Sequence, residues 1–231
     1  MARSPLATSS SATLLSTGRR VCRLCDQAGN GSQKYAVLII KAQEKLSTVA
    51  ETAAERTLDR MGAYDAALLA DTQLDNAVRF VFHACQQYDQ TAEASPVLEK
   101  AFPKAVFSPI VTAPRPQERE MVSQVIVCLR SVMPETGPLT EAVNALTAAL
   151  TQAEEAQQAL DAAQLEESKS RALEALARKE FVEEYNAVYH TAYGDLGRSR
   201  ANKLFPLIRN TARKPVTINQ EGEEQPIRAA A

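Results

Sequence analysis

The sequence has little of what compact enzymes are usually built from. Its 231 residues include no tryptophan, only 8 glycines, and an aromatic share of 5%. Short apolar runs bounded by glycines, the usual sign of buried strands, are almost absent. The longest apolar run, 35–40, is far too short to span a membrane. These absences predict an all-α chain with no transmembrane segment.

Motifs that carry known chemistry are missing as well. We find no phosphate-binding loop and no nucleophile motif. The Glu-x-x-His pairs that a di-iron bundle places on facing helices do not occur. We therefore predict a non-enzymatic protein that needs no cofactor. Four cysteines are too few for a disulfide framework in a chain of this size, which predicts a reducing compartment such as the cytoplasm.

Two long segments dominate what is present. Residues 139–193 contain neither Gly nor Pro and are rich in Ala, Leu, Glu and Gln, which favours one long helix. Residues 33–91 have the same character, with Gly62 in the middle. Gly62 is either a tolerated glycine in a continuous helix or the C-cap of a helical hairpin. The continuous helix is favoured because the two segments then match in length. We predict an elongated antiparallel helical bundle with two long helices of about equal length plus shorter helices.

Apolar spacing predicts which faces pair. The first long helix has a near-heptad stripe at Tyr35, Ile39, Ala42, Leu46, Val49, Ala53, Met61, Tyr64, Leu68, Leu74, Val78, Phe82, Cys85 and Tyr88. The second has one at Leu139, Val143, Leu146, Leu150, Ala153, Leu160, Leu165, Ala172, Leu176, Phe181, Tyr185, Val188 and Ala192. We expect residues near 35 to meet residues near 190.

Prolines and glycines mark the remaining segments. Seven of the 11 prolines fall within 94–138, which predicts a multi-turn connector. Shorter helices are predicted at 12–28, 95–101, 117–132 and 199–204, and a turn at 194–197. The helix at 117–132 is expected to pack through Met121, Val125, Cys128, Leu129 and Val132. The predicted organisation is a tail with a short basic helix over 1–31, a helical bundle over 32–214, and a disordered tail over 215–231.

Charge is unevenly distributed although the net charge is only −2. Residues 135–184 carry eleven acids and four bases, whereas 198–214 carry six bases and no acid. The six are candidates for binding anions, either phospholipid or nucleic acid: Arg198, Arg200, Lys203, Arg209, Arg213 and Lys214. The alternative is that this basic segment docks on the acidic long helix of the same or another copy.

Cys22 and Cys25 form a single CxxC pair. Such spacing suits metal binding or thiol redox chemistry, with Arg20 and Arg23 placed to lower the thiol pKa. His190 is the one local residue expected near enough to complete a metal site. The alternative is simple packing of two small residues on a short helix. The other cysteines, Cys85 and Cys128, are expected far from this pair, and Cys85 in the core.

Aromatic residues recur every fourth position at Phe181, Tyr185, Tyr189 and Tyr193. They predict either a bundle core with hydroxyls at its rim or a stacking platform for a ligand. His83 is expected to be a packing or surface residue.

Three functions remain open. The leading hypothesis is an interaction or scaffold protein that self-associates or binds a helical partner. The second is a peripheral binder of anionic lipid or nucleic acid, and the third is a metal or thiol-redox module at the CxxC pair. The Ser-, Ala- and Arg-rich first twenty residues resemble either a disordered tail or an organelle transit peptide, which would direct the protein to an organelle instead.

Overall fold

The chain is all-α, as the sequence predicts. The computed structural model describes residues 5–29, 31–91, 96–132 and 136–205, with only the backbone of Pro103. The predicted tail at 215–231 and the basic residues Arg209, Arg213 and Lys214 lie outside these ranges. Within them the chain contains helices and no strand. The elements are α1 (Ser11–Ala28), α2 (Gln33–Thr91), α3 (Val97–Ala101), a 3-10 turn (Pro103–Ala105), α4 (Ser108–Val111), α5 (Arg115–Arg130), α6 (Pro138–Leu196) and α7 (Arg198–Leu204).

Helices α2 and α6 are both 59 residues long, which confirms the predicted matched pair. Gly62 continues α2 instead of ending it. The predicted turn at 194–197 is wrong in its first three residues, because α6 runs through Gly194 to Leu196. Gly197 ends it with a φ of 77°, a conformation that glycine adopts at little cost.

The residues form two compact units, and α2 and α6 each contribute residues to both. Unit 1 combines residues 1–50 with 174–231, and unit 2 comprises residues 51–173.

Unit 1 packs α1 and α7 with the first part of α2 and the last part of α6. Its core contains fully buried Tyr35, Ile39 and Leu46 of α2 together with Phe181 and Tyr185 of α6. The core also takes in Leu14, Val21 and Cys25 of α1 and Ala201, Leu204 and Phe205 at the end of the described chain.

The two long helices are antiparallel in unit 1. Tyr35 donates its hydroxyl to Asp195 Oδ2 at 2.8 Å, and Lys34 Nζ lies 2.5 Å from the same oxygen. These contacts confirm that residues near 35 meet residues near 190. Hydrogen bonds from Lys34, and then from Tyr35, hold the pKa of Asp195 below its ordinary value.

Helix α1 approaches α2 closely at Gly18. A Cβ atom at this position would lie 2.6 Å from the Cδ atom of Gln43. The amide of Gln43 in turn donates to the carbonyl of Leu15 at 2.8 Å. The missing side chain of Gly18 therefore makes room for a polar bridge between the two helices.

Unit 2 packs the connector helices against the second part of α2 and the first part of α6. Phe82 of α2 makes edge contacts with Phe102 and Phe107, at centroid distances of 5.3 and 5.1 Å. The carboxylate of Asp89 accepts from the backbone N–H groups of Val97 and Leu98, at 2.7 and 3.0 Å. This capping fixes the start of α3 on α2.

The packing face of α5 differs from the predicted one. Its buried side chains are Glu118, Val122, Val125, Ile126 and Leu129. Of the predicted face, Val125 and Leu129 are buried, whereas Met121, Cys128 and Val132 are only half-buried. The spacing 118, 122, 125, 129 is itself a heptad row, so an acid occupies a core position.

The predicted stripes also fail near the middle of the long helices. Met61, Tyr64 and Leu68 of α2 are exposed, as are Leu165, Ala172 and Leu176 of α6. Ala53 is buried as predicted, whereas the other buried residues here lie outside the predicted stripes: Ala67 and Ala70 on α2, and Glu167, Ser170 and Ala177 on α6. Small side chains allow two helices to approach closely, which leaves the larger leucines on the outside.

Glu167 is held by a set of donors in unit 2. Its Oε1 accepts from Thr57 at 3.0 Å and from Arg171 Nη2 at 2.7 Å, and its Oε2 lies 2.9 Å from Arg60 Nε. Hydrogen bonding from Arg171 is the main reason that the pKa of this carboxyl lies below its ordinary value. The carboxylate thus joins α2 to α6 where apolar contacts are few.

We expect Gly62→Ala to raise the free energy of unfolding by about 1 kcal/mol, since alanine is the better helix former. No atom lies within 4 Å of a Cβ placed there. Urea denaturation followed by circular dichroism measures the change. Gly18→Ala is the matched comparison and should gain less, because Gln43 must move. Equal gains from both variants would contradict the close approach at Gly18.

Candidate functional site

The CxxC pair lies on α1, with both thiols turned toward the core of unit 1. Cys25 is fully buried, and Cys22 is half-buried, with its Sγ 3.8 Å from the carbonyl oxygen of Ala36 and 3.6 Å from Gln43 Oε1. Burial raises the pKa of the Cys25 thiol to about 11, and burial followed by the charge of Asp26 raises that of Cys22. The expectation that Arg20 and Arg23 lower the thiol pKa is therefore wrong. Buried, protonated thiols are poor nucleophiles and poor metal ligands.

His190 does not complete a metal site with these cysteines. Its ring is exposed and packs edge-on against Tyr189, with centroids 5.5 Å apart. In the part of the chain that the structure describes, no three His, Cys, Asp or Glu residues are grouped so as to hold a metal ion. Cys85 and Cys128 belong to unit 2, where burial raises the pKa of Cys85 to about 12.

The aromatic row of α6 is mostly core. Phe181 and Tyr185 are buried, and Phe205 packs edge-on against Tyr185 and Tyr189 at 5.4 and 5.7 Å. Tyr189 donates its hydroxyl to Asn202 at 2.9 Å. Only Tyr193 is substantially exposed. These contacts tie α7 to α6 and leave no open stacking platform along the row.

Neither His83 nor Cys85 of α2 shows a functional arrangement. His83 is exposed, with its Nδ1 3.1 Å from Gln86 Oε1, and Cys85 is fully buried in the core as predicted.

The described part of the basic segment is an exposed surface of α7. Arg198, Arg200 and Lys203 all face solvent. Within residues 5–29, 31–91, 96–132 and 136–205, none of the three forms an ion pair. The alternative that these bases dock on the acidic α6 of the same chain therefore finds no support at these three positions.

Arg200 and Lys203 share a small cavity in unit 1. Its volume is about 250 Å³, and its lining is completed by Ala28, Ser32, Leu196 and Leu204. A larger cleft of about 470 Å³ lies between α2 and α6 in the same unit. That cleft is less suited to anions because its Lys45 is already paired with Glu180 at 2.6 Å. The α7 cavity thus combines two unpaired bases with apolar walls.

A second surface lies on α2 in unit 2, and it includes Met61 and Leu68, which were predicted to be core residues. Four large aliphatic side chains project into solvent within twelve residues, with exposed fractions of 67% for Leu58, 50% for Met61, 47% for Leu68 and 60% for Leu69, and Tyr64 between them is 45% exposed. We call these four residues the α2 row. Leu165 and Leu173 of α6 are similarly exposed. Single exposed leucines are common, whereas large contiguous exposed apolar patches are typical of interaction sites.

Comparison with known proteins supplies no family or relative for this chain. No family model, curated protein or solved structure matches it. Among the helices that the structure describes, none is both long and apolar enough to pass through a lipid bilayer.

We expect the thiol of Cys25 to react slowly with Ellman's reagent in the folded protein. A pKa of about 11 leaves about a hundredfold less thiolate at neutral pH than the ordinary value of 9.0. Labelling of Cys22→Ser in buffer and in guanidinium, with peptide mapping of Cys25, provides the comparison. Rapid labelling in buffer, or a cobalt–thiolate absorption band after Co²⁺ addition, would revive the redox or metal hypothesis.

Proposed function

We propose that this protein is a non-enzymatic helical interaction protein that self-associates through the exposed apolar residues of its long helices. The observation that carries the proposal is the α2 row. Burying a leucine gains about 1.5–3 kcal/mol, so four such residues left in water form a strong incentive for association. Four free cysteines suit the reducing cytoplasm that the sequence favours.

The spacing of the α2 row suits a helical partner. Leu58, Met61, Asp65 and Leu68 follow steps of three, four and three residues, which is the repeat of a coiled-coil seam. Gly62 and Leu69 flank this seam. A helix packing here would approach closely over Gly62, where no atom of the chain lies within 4 Å of a Cβ position. Asp65 is the charged position of this seam.

A second copy of the chain is the favoured partner. The α2 row and the exposed Leu165 and Leu173 are surfaces of the same kind, so one copy offers what another needs. Charges of both signs accompany the row: Arg56 pairs with Asp59 at 3.1 Å, and Arg60 with Glu167 at 2.9 Å. A surface with paired charges can face its own copy without like-charge repulsion.

We expect the wild-type chain to sediment as an oligomer at micromolar concentration, and Leu58→Glu with Leu69→Glu to dissociate it. Burying an apolar side chain rather than a charge is worth about 3 kcal/mol, which raises Kd at least about a hundredfold. Analytical ultracentrifugation measures the mass, and circular dichroism checks that helicity is retained.

The matched control is Val127→Glu on α5, whose side chain is 68% exposed but lies outside the row. It should leave the oligomer intact. A wild-type chain that stays monomeric at high concentration would contradict self-association. Equal dissociation by Val127→Glu would contradict the assignment of the interface to the α2 row.

A second candidate function is binding of anionic membranes through α7. The unpaired Arg200 and Lys203, together with Leu196 and Leu204 in the wall of their cavity, favour an amphiphilic anion over a polymer. A lipid phosphate offers charge for the two bases and apolar chain for the two leucines. Nucleic acid offers charge and flat bases but no flexible apolar chain.

We expect the protein to bind vesicles rich in phosphatidylserine, and Arg200→Gln with Lys203→Gln to weaken that binding roughly 30-fold, at ~1 kcal/mol for each base near the surface. Vesicle co-sedimentation at several salt concentrations measures it. Arg79→Gln, which removes an exposed base of α2, should have little effect. Binding that ignores salt, equal binding to neutral vesicles, or tighter binding to single-stranded DNA would contradict this function.

A further inference from the structure

Glu118 is the most unusual titratable residue in unit 2. It lies in the first turn of α5 with a residue exposure of only 3%. Its place in the row Glu118, Val122, Val125 and Leu129 turns it toward the core that the apolar members build. A carboxyl group in this position must have lost almost all of its contact with water, which disfavours its charged form.

The groups that face Glu118 do not compensate a negative charge. From α2, Asp75 hydrogen-bonds with it and Asp71 adds a second acid. From its own helix, Arg119 is the one base that acts on it, while Arg115 is bound to Asp71 at 3.1 Å. The contact from α6 is an amide, with Gln157 Oε1 3.4 Å from Arg119 Nη2. Two acids therefore disfavour the charge of Glu118, although one of them is paired with Arg115, and Arg119 favours that charge.

Unsatisfied polar atoms converge at the same place. Among the described residues, Glu118 Oε1, Asp71 Oδ1 and Arg119 Nε are buried without a hydrogen-bond partner. The negative charges of Asp75 and Asp71 act against an ionised Glu118, and a proton on Glu118 relieves this repulsion. A protonated Glu118 removes one of the charges and provides an O–H donor for Asp75.

Glu167 is a natural comparison within the same unit. It is nearly as buried, at 8%, but it receives hydrogen bonds from Thr57 and Arg171 and an ion pair from Arg60. Its pKa is lowered, whereas burial followed by the hydrogen bond to Asp75 raises the pKa of Glu118 to about 8. The same fold therefore holds one buried glutamate charged and the other neutral.

We propose that α5 stays seated on α2 by virtue of a proton on Glu118 shared with Asp75, and that loss of this proton loosens α5. Detachment of α5 would uncover the apolar side chains of Val122, Val125, Ile126 and Leu129. The device therefore couples proton concentration to the exposure of an apolar helix face. It does not depend on the α2 row or on the α7 cavity.

The direction of the pH effect follows from the two protonation states. When α5 is detached, Glu118 is in water and ionises near its ordinary pKa of 4.5; when α5 is seated, it ionises near 8. Between these values only the seated form holds the proton, so rising pH favours detachment. The opening constant should rise about tenfold per pH unit from pH 5 to pH 8 and level off above pH 8.

Hydrogen exchange of the α5 amides in the full-length protein, read by mass spectrometry at pH 5 to 9, tests the proposal. Glu118→Gln keeps the shape and a donor for Asp75 but cannot ionise. In this variant the exchange rate of the α5 amides should change with pH only as the intrinsic chemical exchange rate does. In the wild type the exchange rate should rise by an additional factor of about ten for each pH unit. Glu167→Gln, the matched control, should lower stability throughout and keep the wild-type pH dependence in α5.

The proposal is overturned if wild type and Glu118→Gln show the same pH dependence in α5, or if Glu167→Gln abolishes that dependence equally. Infrared spectroscopy of the wild-type protein at pH 6 to 9 is a second test, and it does not depend on the folding of any variant. The C=O band of a neutral carboxylic acid should be present at pH 6 and fade as the pH passes 8. Its absence at pH 6 would also overturn the proposal.

Discussion

The antiparallel contact between α2 and α6 is the interaction on which the rest of the structure depends. Neither helix has a continuous buried apolar face, because the predicted apolar stripe of each is exposed near its middle. Each unit therefore completes the contact with different chemistry. In unit 1 it is aromatic and bulky, with Tyr35, Ile39 and Phe181 fully buried. In unit 2 large aliphatic residues such as Leu74 and Leu146 form one part of the core, and alanines with the charged Glu167 occupy other buried positions.

Most of the fold was predictable because helix propensity and proline placement act locally. The start of α2 shortly after Gly31 and the start of α6 at Pro138 follow from residue types that interrupt a preceding helix. The extent of α6 at its other end was not predictable in the same way. Gly194 is helical whereas Gly197 has a φ of 77°, although the residue type is the same.

The faces of the helices were harder to predict than the helices themselves. A heptad rule selects the largest apolar residues, and so it assigned Met61, Leu68 and Leu165 to the core. The actual pairing uses Ala67, Ser170 and Glu167, because close approach and a satisfied carboxylate stabilise the contact there instead. Glu118 did leave a signal, since it stands four, seven and eleven residues before Val122, Val125 and Leu129. This spacing does not by itself predict burial of Glu118, because an acid in the first turn of a helix is expected to face solvent.

The nesting of one unit within the sequence of the other affects how the chain is made. Residues 51–173 are contiguous, so a ribosome delivers all of unit 2 before it finishes unit 1. Contacts of the first fifty residues with α6 wait until synthesis passes Glu174, and the contact of Ser11 with Glu174 joins residues 163 apart in sequence. Such distant contacts form late in folding. Helix α1 can therefore pack early against α2, whereas its contacts with α6 and α7 form last.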